Sequence, residues 1–353
     1  CTAMASNNLY DMTVGVIGAG SFGCAVANIL AENVTVLLYA RTEKLVNQIQ
    51  QEQQARTISL HKNVKGTGDL ELVANSCSVI FPVVPSSNFR SMINDLSPFL
   101  KPYHILIHGT KGFEVQLSGQ SLDELKTLHR EQVYTMSELI RHESQAVRVG
   151  CLAGPNLAKE INELQPAATV VASHFNEVID IGQKLLKSDR FGVFGNNDLI
   201  GVELCGVLKN IIAIGAGALS GLGYGDNTKG LLISRGMVEL IYLGRALGGN
   251  VEAFLGLAGV GDLVTTCSSN LSRNFTLGYR LANGESLQEI LNSMEEVAEG
   301  VNTIKIAKKL ADNYRVRTPI TNTLYQVLFE DLSLDVGLQQ LMKYPFSQDI
   351  DFL

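Results

Sequence analysis

Short apolar runs alternate with helix-compatible stretches through the first half of the chain, whereas the second half is almost entirely helical in pattern. Thr13-Val14-Gly15-Val16-Ile17, Val34-Thr35-Val36-Leu37-Leu38-Tyr39, Ser78-Val79-Ile80-Phe81-Pro82-Val83-Val84-Pro85 and His104-Ile105-Leu106-Ile107-His108 are near-continuous apolar runs. Runs of this kind mark strands covered on both faces, as in a parallel sheet flanked by helices. Further strands are predicted over 147–152, 168–172 and 191–194, which closes the first domain near Asn197. Residues 304–311 and 319–330 read as closing helices. The pattern predicts an α/β fold, with a doubly wound, mostly parallel sheet over 13–197 and an all-helical C-terminal domain over 198–345. Residues 1–12 read as a polar leader or tag remnant, and 346–353 as a tail. Residues 114–149 are polar and helix-prone and read as a peripheral surface excursion.

The first strand runs straight into Gly18-Ala19-Gly20-Ser21-Phe22-Gly23, and 24–30 continue as an apolar helix. Gly18 permits the tight strand-to-helix turn, Gly20 lets the backbone approach a pyrophosphate, and Gly23 lets helix and strand pack closely. Open amide N–H groups at the helix N-terminus would hold the phosphates of a dinucleotide. The second strand ends in Ala40-Arg41-Thr42, where an acid that binds the ribose 2′-OH is usual in an NAD-specific site. Arg41 could stack on adenine or accept a 2′-phosphate, so NAD or NADP is expected; a solvated loop arginine is the plain alternative.

Composition narrows the partners. The 353-residue chain has room for two domains. Its net charge of −7 is spread along the chain with no basic tract, which argues against nucleic acid. The six cysteines lie far apart with no CxxC pair, and the histidines are not clustered, so free thiols and no metal site are expected. That favours a reducing, cytoplasmic compartment. Residues 200–224 are apolar and Gly-rich, but Glu203, Lys209 and Asn210 interrupt them, which predicts a buried helix and no membrane insertion.

The candidate chemistry lies in the loops and in that apolar helix. Loops beyond the carboxyl ends of parallel strands face the ligand, which singles out Lys111 in Gly109-Thr110-Lys111-Gly112 and the turn Ala153-Gly154-Pro155-Asn156. A loop lysine without function would read the same way, and His108 reads as a packed strand histidine. Lys209 is stronger: an ammonium inside an apolar helix must be paired or functional. Burial also lowers its pKa toward the range useful for proton transfer. Its partner could be Glu203, or Asp262 in Gly259-Val260-Gly261-Asp262-Leu263, where Asp262 also reads as a helix N-cap. Ser272-Arg273-Asn274 offers a hydroxyl, a guanidinium and an amide, a set suited to phosphate; a helix cap beside a surface arginine is the alternative.

Taken in order, these motifs resemble bacterial-type NAD(P)-dependent glycerol-3-phosphate dehydrogenase from Val14 to about Leu341. The resemblance also rests on Gly201-Val202-Glu203-Leu204, on Leu208-Lys209-Asn210-Ile211-Ile212-Ala213-Ile214-Gly215-Ala216-Gly217, and on Glu299-Gly300. It implies a Rossmann-type domain and a helical domain with the site between them. The implied activity reduces dihydroxyacetone phosphate reversibly to sn-glycerol 3-phosphate for phospholipid synthesis. It implies Lys209, Lys111 and Asp262 as catalytic residues. Substrate would be held by Lys111, Gly154, Asn156, Lys209, Asn210, Asp262, Thr266, Ser272, Arg273 and Asn274. The dinucleotide would meet Gly18, Gly20, Ser21, Phe22, Gly23, Arg41, Lys111, Ala158, Arg273, Val297 and Glu299. The family usually carries Thr or Ser where this chain has Asn156, so an amide would replace a hydroxyl there. A homodimer is implied.

Two other functions fit the pattern. One is a two-domain reductase of a small hydroxy acid, which would carry a carboxylate site where the phosphate grip is expected. The other is an NAD(P)H-binding redox sensor without turnover, for which Lys209, Asp262 and Arg273 would be replaceable.

Overall fold

The computed structural model describes residues 12–294 and 298–343. The chain divides into two compact units, the first of Cys1–Thr110 and Met136–Leu199, the second of Lys111–Thr135 and Ile200–Leu353.

In chain order the elements begin with β1 (Thr13–Ile17), α1 (Ser21–Ala31), β2 (Thr35–Tyr39), α2 (Glu43–Glu52) and the two-residue strands β3 (Gln54–Ala55) and β4 (Ile58–Ser59). Then come β5 (Val64–Thr67), α3 (Leu70–Ser76), β6 (Val79–Pro82), α4 (Ser86–Leu96) and β7 (Ile105–His108). Residues 111–135 belong to the second unit and hold the short ladder of β8 (Glu114–Val115) and β9 (Val133–Tyr134). The first unit resumes with α5 (Met136–Glu143), β10 (Arg148–Ala153), α6 (Ala158–Asn162), β11 (Ala167–Ser173), α7 (Asn176–Leu186) and β12 (Phe191–Asn196).

Its eight-stranded sheet runs β12-β11-β10-β7-β6-β1-β2-β5. Every neighbouring pair is parallel except β10 with β11. β6 and β7 are buried along their whole length, which is why they read as continuous apolar runs. The core gathers Val14, Val16, Leu38, Phe81 and Ile107 with the apolar face of α1, including Ile29 and Leu30. His108 is the packed strand histidine expected, with Nε2 3.1 Å from Ser137 Oγ.

The second unit is helical: α8 (Leu199–Gly221), α9 (Asp226–Ala246), α10 (Val251–Leu255), α11 (Asp262–Ser268), α12 (Arg273–Ala282), α13 (Leu287–Ser293), α14 (Gly300–Tyr314), α15 (Pro319–Phe329) and α16 (Leu334–Met342). α8 is long and apolar enough to span a bilayer, but 94% of its apolar window is buried inside the protein, so it is a core helix. Glycines let its neighbours approach closely. A Cβ at Gly217 would lie 1.9 Å from Phe275 O, and one at Gly278 would lie 1.9 Å from Ile214 O. The Ile/Ala/Gly run of α8 is therefore the footprint of backbone contact with α12, and this contact fixes where the start of α12 lies.

The excursion expected over 114–149 is not one peripheral piece. Residues up to Thr135 pack with the helical unit, where Leu128 and Val133 are buried. Lys305 holds Asp123 at 2.9 Å, Lys309 donates to Leu125 O at 2.6 Å, and Asn313 donates to Leu128 O at 3.2 Å. These residues recur every fourth position and so share one face of α14. From Met136 onward the chain belongs to the sheet unit, with Met136, Leu139 and Ile140 buried.

Candidate active site

In the first unit the β1–α1 turn has the form expected of a phosphate cradle. Gly18 sits at φ +117°, where a Cβ would lie 2.2 Å from Val83 O, and a Cβ at Gly23 would lie 1.8 Å from Gly18 O. These two glycines hold the turn tight. Gly20 differs: a Cβ there would meet nothing within 4 Å, so the backbone is open on that side. Gly20 is the N-cap of α1 and supplies no side-chain acceptor, which leaves the first amide N–H groups for an anion. Ser21 is exposed and Phe22 is half-buried, its ring against Gly109. Arg41 is exposed just beyond β2. α6, which begins at Ala158, is tied to this turn by Asn162 Nδ2 donating to Ser21 O at 3.5 Å.

At the end of β10, Gly154 takes φ +146°. Asn156 Nδ2 donates to Thr169 Oγ1 at 2.8 Å, and Thr169 donates onward to Ala153 O at 3.1 Å. Asn156 Oδ1 is buried without a hydrogen-bond partner, one of two such side-chain atoms among the described residues. An orphaned buried acceptor is costly and calls for a donor from outside the fold.

The second unit collects the charges. Asp262 accepts from Lys209 Nζ through Oδ1 at 2.7 Å and from Lys111 Nζ through Oδ2 at 2.7 Å. Lys209 also donates to Thr266 Oγ1, which in turn donates to Asp262 O at 2.6 Å. The third N–H of Lys209 has no partner among the described residues. The Lys209 and Asp262 side chains are 6% and 4% exposed, whereas that of Lys111 is 25% exposed. Lys111 lays its stem over Gly206 of α8, where a Cβ would sit 3.6 Å away.

Burial drives the Lys209 ammonium down from 10.5 to about 8, against the pull of Asp262 and with help from Lys111. Burial alone would raise the Asp262 carboxyl, but the two ammoniums outweigh it and hold that group below the ordinary carboxylate range. The cluster thus pairs a fixed anion with a lysine poised between its two protonation states near neutral pH.

Two alternatives from the sequence fall away here. Lys209 is paired with Asp262, while Glu203 accepts from Thr135 Oγ1 at 2.9 Å. Asp262 is the first residue of α11 and not its N-cap; Gly261 holds that place at the end of a π-helical turn, Leu257–Gly261. π-turns of this kind recur at functional sites.

At the start of α12, Ser272 is the N-cap and accepts from Phe275 N at 3.2 Å. Arg273 is exposed at the first helical position. Asn274 is buried, and its Oδ1 accepts from Gly300 N at 2.9 Å, so it caps α14. A Cβ at Gly300 would lie 3.0 Å from Asn210 O, which places the starts of α12 and α14 against the Lys209–Asn210 stretch of α8. Glu299 is half-buried at the N-cap of α14. Val297 lies outside the described residues. Cys267, unflagged by its sequence, lies in the field of Lys209 and Asp262; burial pushes its thiol up to about 12, so it stays neutral. No cluster of His, Cys, Asp and Glu among the described residues could hold a metal ion.

An uncapped Gly-rich turn at the end of the first strand of a parallel sheet, beside a buried lysine paired with a carboxylate in the same chain, defines the class as a dinucleotide-binding protein. The profile for NAD-dependent glycerol-3-phosphate dehydrogenase, N-terminus, matches residues 13–179, and that for the C-terminus of the same enzyme matches 198–339. The chain belongs to this family. It is 38% identical over 346 residues to glycerol-3-phosphate dehydrogenase [NAD(P)+] of Teredinibacter turnerae, covering 97% of each chain. It is 39% identical over 345 residues to the Pseudomonas putida protein of the same name, covering 96% of each. The crystal structure of glycerol-3-phosphate dehydrogenase from Coxiella burnetii superposes with a TM-score of 0.83 at 30% identity, covering 94% of this chain and 99% of that one.

Proposed function

We propose that this chain is an NAD(P)-dependent sn-glycerol-3-phosphate dehydrogenase that interconverts dihydroxyacetone phosphate and sn-glycerol 3-phosphate, supplying the latter for phospholipid synthesis. The observation that carries this reading is the buried Lys209, held at 2.7 Å by Asp262 with a pKa near 8, in a chain so similar to enzymes of that name.

The residues at the β1–α1 turn fit a dinucleotide pyrophosphate: Gly18, Gly20 and Gly23 shape the backbone, and the free N–H groups near Ser21 and Phe22 bind it. Arg41 takes the adenosine end and accepts either cofactor. Ala158, Val297 and Glu299 complete that contact set by resemblance alone. When bound, the nicotinamide supplies or accepts the hydride. Everything else is done by the protein's own groups.

As negative charge develops on the ketone oxygen, the unpartnered N–H of Lys209 stabilises it and passes its proton from Nζ to that oxygen. Asp262 and Thr266 fix the position of Nζ, and Lys111 adds positive charge from the other side of Asp262. In the reverse direction neutral Lys209 takes the hydroxyl proton. Oxidation of glycerol 3-phosphate therefore rises with pH through about 8, and reduction falls above it. Arg273 and the remaining donors of Asn274 grip the phosphate, and this remote binding orients the ketone. Asn210 and Gly154 are assigned to the substrate by resemblance alone. Asn156 Oδ1 takes the substrate hydroxyl as its missing donor, doing with a carbonyl what a Ser or Thr hydroxyl does in relatives. A homodimer in a reducing, cytoplasmic compartment completes the reading; Cys24, Cys77, Cys151, Cys205 and Cys267 are all buried and outside any disulfide among the described residues, in keeping with it.

The test follows consumption of NADH and NADPH with dihydroxyacetone phosphate in the native chain and in Lys209→Met. The variant is expected to keep cofactor affinity while losing about 10²–10⁴-fold in turnover. Near-native turnover by the variant, or a native chain that ignores dihydroxyacetone phosphate and reduces a keto acid, refutes the proposal.

A further inference from the structure

The lysine that holds the second oxygen of Asp262 stands on neither a helix nor a strand. Lys111 opens residues 111–135, a stretch of the helical unit that precedes α8 in the chain. A long flexible side chain on a connecting segment is placed only as well as the segment beneath it is held.

Both ends of this segment rest on α8. At the far end Thr135 Oγ1 donates to Glu203 Oε2 at 2.9 Å, and both residues are buried. Burying a carboxylate is costly unless its partners hold it in place. At the near end the Lys111 stem crosses Gly206, where a Cβ would lie 3.6–3.7 Å from Cγ, Cδ and Cε. Glu203, Gly206 and Lys209 follow one another at intervals of three residues, so each is the next one's neighbour along α8. The ladder of β8 and β9 joins the two ends by pairing Glu114 with Tyr134 and Val115 with Val133. Gln116 extends it, donating from N to Gln132 O at 2.8 Å and from Nε2 to Tyr134 Oη at 2.7 Å. The middle is tied down separately: α14 holds it through Lys305, Lys309 and Asn313, and Arg130 Nε donates to Leu247 O, at the C-cap of α9, at 3.1 Å.

We propose that residues 111–135 are a brace for the proton-transfer pair, in which Thr135 with Glu203, and Lys309 with Asn313, are positioning residues that hold Lys111 Nζ on Asp262 Oδ2. Without the brace the Lys111 stem swings toward solvent and its ammonium leaves Asp262. Lys209 faces Asp262 and Cys267 of α11 as well as Lys111, and of these the Lys111 ammonium is the one that opposes its charge. Loss of that ammonium therefore raises the Lys209 pKa from about 8. The consequence for turnover rests on the reading of Lys209 as proton donor; the placement of Lys111 does not.

Two readouts on the full chain test this. The first is the rate at which an amine-acylating reagent labels Lys111, followed by mass spectrometry of the digested protein, and it needs no turnover. Thr135→Val and Lys309→Met are expected to label Lys111 several-fold faster than the native chain. The second is the pH profile of glycerol 3-phosphate oxidation, whose rise should move upward by about one pH unit in the same variants. Thr135→Ser and Lys309→Arg keep a donor at each place and should return both readouts to native. Lys308→Met is the control on the same helix, because Lys308 pairs with Asp312 inside α14; it should change neither readout. Native labelling of Lys111 in both Thr135→Val and Lys309→Met overturns the proposal, even where their melting temperatures fall. Faster labelling with an unmoved pH profile overturns the link from the brace to Lys209. A native chain without turnover, whose variants still label Lys111 faster, refutes the enzyme reading and upholds the brace.

Discussion

The two units prepare for ligands by opposite physical means. Among the described residues the sheet unit buries no Asp, Glu, Lys or Arg, and its cradle is made of backbone shaped by Gly18, Gly20 and Gly23. The helical unit buries Glu203, Lys209, Glu239 and Asp262, each held by a named partner. Binding a phosphate group needs only oriented N–H dipoles, which glycine exposes at little energetic cost. Moving a proton needs a group whose charge can change, and such a group must be taken out of water and then compensated. The difference teaches that stability and chemistry are separable in the first unit and coupled in the second.

The largest expected effect breaks that coupling. Asp262→Leu removes the carboxylate shared by Lys209 and Lys111 and leaves a buried ammonium without its counter-charge, at a cost of about 3–5 kcal/mol. Denaturant unfolding should show it as a lower midpoint. Asp262→Asn keeps the shape, so it should remain folded, and its profile for glycerol 3-phosphate oxidation should shift to lower pH because the lysine loses the charge that raises its pKa. An unchanged profile would remove Asp262 from control of Lys209.

The same contrast decides what could be read from the sequence. The cradle was legible because its parts are neighbours in the chain, and β1, β2, β6 and β7 because buried parallel strands are apolar runs. β5 (Val64–Thr67) escaped notice: it is the edge strand, and Lys65 faces solvent there. Lys209 was conspicuous, as a charge in an apolar helix must be. Its partner was narrowed to Glu203 or Asp262 and no further, since Asp262 is 53 residues away and Lys111 lies 151 from Asp262; the fold decides for Asp262 and adds Lys111 on its other oxygen. The stretch 111–135 misled for a related reason. Its polar composition hides Leu128 and Val133, and its attachment runs through Lys305, Lys309 and Asn313 on a helix far along the chain.

Glu239 gives the next effect down. Its carboxylate accepts from Ile320 N at 2.7 Å and Thr321 N at 2.8 Å, so this residue of α9 caps α15 from within. Burial nonetheless pushes its carboxyl up from 4.5 to about 7, with the Thr321 and Ile320 donors opposing. The folded chain thus keeps a proton that the unfolded chain has already released. That contribution is complete below pH 4.5 and is lost as pH rises through about 7, so stability should decline across this window at up to about 1.4 kcal/mol per pH unit and then level off. Glu239→Gln should flatten this component. A native chain whose stability climbs from pH 5 to 7, with the same slope in the variant, would contradict the assignment.

The smallest effect on stability belongs to the sheet unit, and it sharpens the contrast most. Gly20→Ala adds a methyl where nothing stands within 4 Å, and Gly20 already has φ −82°, which alanine adopts freely. Folding stability should change by no more than about 0.5 kcal/mol. On the proposed cradle the methyl takes space that a pyrophosphate needs, so dinucleotide affinity should fall by about tenfold or more, as a loss of roughly 1.4 kcal/mol of binding implies. Titration of NADH and NADPH against the variant by fluorescence measures this directly. Lost affinity with an unchanged melting temperature is the outcome that separates function from stability in this unit. A variant that binds normally would mean that the phosphates do not lie against Gly20, and the cradle would have to be moved to another part of the sheet edge.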